Sequence, residues 1–243
     1  MPLPTEKQNV SCPSIAQSRL VIMANPKGGK STFLAQNPDL LLIDCDNNGA
    51  AFIDCYRVSA YSWQDLQKIL AEIAEEKKNG TLKFKTIGLD TINGAYQFCR
   101  THVLKELKLT HESDDKGFGR SWDIVKNTFL RFIAYTQSLG LGLWMTSHTV
   151  QKEVKIDGVK RTVTTTNLSN SIQTVVQALA DHIIYFDANE DGTRTCYVSP
   201  QDGLETGGRF NRFGLNKNIK FNTEAELYQS IMNTLAAYST QAK

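Results

Sequence analysis

The sequence has no continuous run of about 18 apolar residues, the length needed to cross a bilayer. Its opening stretch, MPLPTEKQNVSCPSIAQS, has no apolar core of the kind that drives secretion. Export and membrane insertion are therefore not expected, and a soluble cytoplasmic protein is. No two cysteines stand in a C-x-x-C arrangement. The five present (Cys12, Cys45, Cys55, Cys99 and Cys196) are odd in number, which points to reduced, structural thiols rather than a disulfide framework. Charge of one sign is not in excess either: 27 Lys and Arg face 25 Asp and Glu, for a formal net charge of +2. Bulk charge thus gives no sign of nucleic-acid binding, and any such surface must be a local patch. Internal repeats and low-complexity segments are absent.

What is present is enough for a core. Hydrophobic residues make up 41% of 243, with 21% charged, which suits one α/β domain with appended hairpins, or a domain and a small lobe. Residues 1–17, with Pro2, Pro4 and Pro13, read as a flexible lead-in to a domain over 18–243. Apolar runs predict strands at 20–24, 40–43, 86–89, 140–145, 182–186 and 195–199. Helices are predicted from a Ser62 cap to Asn79-Gly80, up to about 107, over 122–139 and 172–180, and from Thr223, with Glu226 completing a T-x-x-E cap. Residues 150–166 read as a hairpin around Asp157-Gly158, and Asn189 to Gly192 as a turn. Residues 108–120 and 201–222 read as irregular. Alternating strands and helices predict a mostly parallel sheet flanked by helices, with ligands at the carboxyl ends of the strands.

Ala24-Asn25-Pro26-Lys27-Gly28-Gly29-Lys30-Ser31 fits G-x-x-x-x-G-K-[ST] at every fixed position but the first, where Ala24 replaces glycine. Glycines let main-chain N–H groups point at phosphate oxygens, Lys30 reaches the β- and γ-phosphates, and the Ser31 hydroxyl can ligate Mg²⁺. The helix that follows adds its own N-terminal N–H groups. The nucleotide-binding set is Asn25, Pro26, Lys27, Gly28, Gly29, Lys30, Ser31 and Thr32, with Lys27 either on a phosphate or in solvent. Asp90 ends the strand Thr86-Ile87-Gly88-Leu89 and reads as the Walker B metal ligand, as the cap of the next helix, or as both. Strand alternation places Asp44 and Asp46 on one side, and Asp46 is the candidate to polarise an attacking water. The alternative is a polar turn through Asn47-Asn48-Gly49. His148, after Thr146 and Ser147, is either a sensor of the γ-phosphate or a structural histidine.

These segments together resemble the RecA-like ATPases of bacteriophages, the Sak-type single-strand annealing recombinases, over about residues 18–222. The resemblance implies a RecA-like P-loop NTPase with a mostly parallel sheet and C-terminal β-hairpin additions, binding ATP and Mg²⁺. It implies catalytic roles for Lys30, Asp46 and His148. Asp46 would stand where the family carries a glutamate, and His148 where it carries a glutamine coupling nucleotide state to DNA. Ser31 and Asp90 would hold the metal. The 150–170 segment falls where RecA-like proteins contact DNA, making Lys152, Lys155, Lys160 and Arg161 candidates for single-stranded DNA phosphates. Ordinary surface charge is the alternative, and no aromatic residue is there to stack on bases. Arg209 and Arg212 would be candidates to reach a neighbouring copy's nucleotide. Implied partners are single-stranded DNA, further copies of the chain and a single-strand-binding protein, in the cytoplasm of a phage's host. Two other readings compete: a nucleotide-binding module that does not hydrolyse, and a small-molecule kinase. A ParA-type partition ATPase fits less well, because Lys27 stands only three residues before Lys30.

Overall fold

A computed structural model describes residues 12, 14–46, 49–117, 119–156 and 158–241. Most of the expected lead-in, the Asn47-Asn48 turn and Asp157 of the hairpin turn lie outside the described residues.

Five parallel strands build the centre: β1 (Arg19–Ala24), β2 (Leu40–Asp44), β4 (Thr86–Asp90), β5 (Gly142–Ser147) and β8 (His182–Ala188). Their order is β8-β1-β5-β4-β2, so one strand stands between β1 and β4. β3 (Arg57–Ser59) extends the sheet in parallel beyond β2. On the other side, β9 (Arg194–Tyr197) pairs antiparallel with β8, and β11 (Ile219–Phe221) with β9. These are the expected C-terminal hairpin additions. A two-residue β10 (Gly207–Gly208) also pairs with β8. β6 (Thr149–Ile156) and β7 (Val159–Thr166) form a separate two-stranded ribbon.

β1 shows why the centre reads as continuous apolar sequence: both its faces are covered. Val21 and Met23 point into a core shared with α2 (Trp63–Asn79), α3 (Ile92–Glu106), α4 (Arg120–Ser138) and α5 (Asn170–Leu179). Leu20, Ile22 and Ala24 point into a second core with α1 (Lys30–Leu34) and α6 (Glu224–Gln241). In α2, Trp63, Leu66, Ile69, Leu70 and Ile73 form a helical stripe on the first core. Ser62 caps its start by accepting from Asp65 N, and Gly80, at φ 72°, ends it. No described helix is long and apolar enough to cross a membrane.

Two differences from the sequence expectation matter. Ile15–Gln17, counted with the lead-in, form a 3₁₀ turn belonging to the body: Ile15 is buried, and its carbonyl accepts from Trp144 Nε1 at 3.1 Å. The stretch 201–222 is not wholly irregular, since it supplies β10, a 3₁₀ turn at Arg209–Phe213 and β11.

His182 is fully buried, with Nε2 2.8 Å from Val198 O, and burial lowers its pKa from 6.5 to about 4. The unfolded chain binds this proton more readily. The histidine's contribution is therefore complete above about pH 6.5 and is lost as pH falls through about 4. Denaturant titrations at pH 7 and pH 4 should show an acid loss that is smaller in His182→Gln by about 2–3 kcal/mol.

Candidate functional site

The carboxyl ends of β1, β2, β4 and β5 meet at a cavity of about 420 Å³. Its floor is the turn after β1. There Gly28 N donates to Asn25 O at 3.0 Å, and both Lys27 (φ 63°) and Gly29 (φ 87°) take left-handed backbone conformations. The departure at Ala24 has a local counterpart. A Cβ on Gly28 would stand 2.7 Å from Ala24 Cβ, so the methyl group at 24 requires glycine at 28. The helix beyond the turn is short. α1 has five residues, anchored by buried Phe33 and Leu34, which leaves the main-chain turn and side chains as the principal phosphate donors.

Lys30 is nearly buried, and its Nζ donates to Ala24 O and Asn25 O, both at 3.0 Å. Burial lowers its pKa, against the pull of Asp90 and Asp46. Asp90 is also buried, and desolvation raises its pKa. Ser31 Oγ donates to Asp90 Oδ2 at 2.5 Å, and the Thr146 hydroxyl donates to Oδ1. A desolvated carboxylate with a serine hydroxyl against it, facing an open cavity, is an oxygen donor set suited to a hard divalent cation. The residues present fit Mg²⁺. The cap of α3 is Thr91, which accepts from Gly94 N at 3.2 Å, so Asp90 is not the N-cap.

The expectation that Asp44 and Asp46 share one side of a strand does not hold, because β2 ends at Asp44. That carboxylate is buried and accepts from Asp46 N at 3.0 Å and Ala50 N at 3.2 Å, which shapes the loop. Asp46, just beyond the strand, lines the cavity, with Oδ2 3.6 Å from His148 Nε2. His148 Nδ1 lies 3.5 Å from Lys30 Nζ. Lys30, Asp46 and His148 are thus brought together.

Sequence reading missed Asn93. Its Oδ1 accepts from His148 N at 3.2 Å and Ser147 Oγ at 3.1 Å, and its Nδ2 donates to Asn167 O, just beyond β7. The only signal was a position three residues after Asp90. Arg194 and Glu224, which also line the cavity, were missed because neither stands in a phosphate-binding motif or at the carboxyl end of an apolar strand.

The β6–β7 ribbon starts at the cavity: Thr149 Oγ1 donates to Asn25 Oδ1 at 2.7 Å. Its four candidate cations divide. Lys152 is turned to the body and donates to Leu168 O, Asn170 Oδ1 and Gln173 Oε1, so its ammonium is already committed there. Arg161 pairs with Asp202 at 2.9 Å on the face shared with Lys152. Lys155 and Lys160 lie directly opposite each other on the outer face, with Glu153 3.3 Å from Lys160. Arg209 and Arg212 do not join this cavity. Arg209, with Arg19, pairs with Asp181 at the amino end of β1, and Arg212 lies over the Phe213 ring at 5.2 Å.

Residues 16–210 match a protein family described as AAA domain. The chain belongs to that family. AAA domains are P-loop nucleoside triphosphatases that bind ATP, usually with Mg²⁺, and the match places both the phosphate loop and Asp90 inside this AAA domain. No curated protein matches the chain.

Proposed function

We propose that this AAA domain is an Mg²⁺-dependent ATPase of the RecA-like, Sak-type phage group, acting on single-stranded DNA in annealing and recombination. The observation that carries the proposal is the join between cavity and ribbon: Asn25, His148 and Asn93 all contact the root of β6–β7 or the residue just beyond it. Lys30 leaves the Ala24 and Asn25 carbonyls for the β- and γ-phosphates, and the amides of the turn cover the remaining phosphate oxygens. Ser31 and Asp90 hold Mg²⁺, which offsets phosphate charge when bound. Asp46 accepts the proton of the attacking water. His148, within 3.6 Å of Asp46 and 3.5 Å of Lys30, registers the γ-phosphate and passes its presence to Thr149 and the ribbon.

Lys155 and Lys160 oppose like charges across the outer face, a pairing that a strand phosphate relieves. A fluorescence titration with an oligodeoxythymidine at several salt concentrations tests this. The Lys155→Ala, Lys160→Ala double variant should lower the salt slope of log K by about 1.4, as expected for two lost phosphate contacts on a single strand. Absence of binding at low salt, with or without ATP, sinks the DNA reading.

A further inference from the structure

We propose that Arg194 is a second phosphate-binding cation of this cavity, and that Glu224 is a built-in carboxylate that occupies it until a nucleotide arrives. The proposal rests on the nucleotide-binding reading above and concerns the opposite wall of the same site.

The cavity has two sides. Asp46, Asp90 and His148 stand at the ends of β2, β4 and β5, on one side of the turn after β1. Beyond β1 in the other direction come β8 and then β9, whose first residue is Arg194. Glu224, the first residue of α6, meets it there. The two form an ion pair, Arg194 Nη1 to Glu224 Oε1, with side chains 23% and 12% exposed. This pair rests on the phosphate turn itself. A Cβ on Gly29 would collide with Glu224 Oε1 and stand 2.7 Å from Arg194 Nη1. A carboxylate therefore lies against the main chain that is shaped to hold phosphate oxygens.

Neither the start of α6 nor the pose of Arg194 depends on that carboxylate. The helix start is closed by Thr223 and Glu226: Glu226 N donates to Thr223 Oγ1 at 3.2 Å, and Asn222 N and Thr223 N donate to Glu226 Oε2 at 3.0 and 3.3 Å. Arg194 Nη2 donates to Asn222 O at 2.8 Å, and the guanidinium lies 4.8 Å from the centre of the Phe221 ring. Once Glu224 swings away, Arg194 stays aimed at the turn with Nη1 free. A guanidinium binds phosphate as readily as carboxylate, so the exchange is one anion for another. Glu224 also adds a negative charge where a triphosphate must enter.

The γ-phosphate belongs beside Asp46, Asp90 and His148. Arg194, on the far side, then serves the phosphates nearer the sugar, which ATP and ADP share. Opposite signs follow for the two partners. Calorimetric titration with Mg-ATP and Mg-ADP should show Arg194→Ala weakening both about 10-fold, with their ratio preserved. Glu224→Gln should tighten both about threefold or more, and that gain should vanish in the Arg194→Ala background. If the pair only anchors α6, Glu224→Gln will weaken binding or leave it unchanged, which overturns the proposal. Wild-type protein that takes up no nucleotide overturns the nucleotide reading itself. Wild-type binding that is lost in Lys30→Ala but indifferent to Arg194→Ala overturns only this inference.

Discussion

Lys30→Ala should lower kcat/KM for ATP by about 100-fold or more while the protein stays folded. Among the described residues, the ammonium is the side-chain cation whose donors already reach the turn's own carbonyls, at Ala24 and Asn25. Bound phosphate takes over those donors, and charge-assisted bonds of this kind contribute about 1.5–3 kcal/mol each. Folding has little to lose, because burial disfavours the charged form: the lysine pKa is lowered in the folded chain. Steady-state hydrolysis and a thermal melt of the same sample check both halves. Activity within a few-fold of wild type would remove Lys30 from the chemistry.

Asp90→Asn should separate metal use from folding still more sharply. Ser31 and Thr146 both donate to the Asp90 carboxylate, and their hydroxyls can turn to suit an amide of the same shape. The folded-state pKa of Asp90 is raised by burial. Ionising it in the folded chain therefore costs stability, and that cost is absent only below the ordinary carboxylate range. The neutral variant should not melt below wild type. Hydrolysis should fall by about 10²–10³-fold, and the Mg²⁺ dependence of nucleotide binding should flatten. ATP turnover across a magnesium series, set beside a melt, gives the answer. A variant that hydrolyses ATP with an unchanged magnesium midpoint would place the metal elsewhere.

The phosphate turn and the Walker B strand were legible in the sequence because their chemistry is local. A buried strand, a glycine pair and Lys30-Ser31 are consecutive, and Asp90 directly follows an apolar run. The caps of α2 and α6 were legible for the same reason. Asp44 was misread because alternation holds only while a strand lasts, and β2 stops at that residue, where two main-chain N–H groups claim its carboxylate. The inward turn of Lys152 was not legible because a cation count does not say which face of a ribbon turns inward. The register of β6 with β7 settles that, since Val163 and Thr165 are buried on the Lys152 face. β3 has only three residues, too few to show a period. Arg194 and Glu224 are 30 residues apart and meet only through the β9–β11 pairing and the start of α6.

The ribbon of β6 and β7 has one short backbone neighbour at 203–205, where Thr164 N donates to Gly203 O at 2.8 Å and Glu205 N donates to Thr164 O at 3.2 Å. Its angle to the body is set by that bridge and by Lys152 on Leu168 and Asn170, and at its root by Thr149 on Asn25 and by Asn93 bridging His148 and Asn167. Beyond Val163 each strand runs on for roughly five residues, an arm of about 16 Å. A rocking of about 5° at that attachment carries the tip about 1.4 Å, roughly half a donor–acceptor hydrogen-bond distance, for a far smaller displacement beside the phosphate turn. On the proposed function, the ribbon is a pointer that magnifies at Lys155 and Lys160 whatever shift of Asn25 or His148 accompanies an exchange of nucleotide.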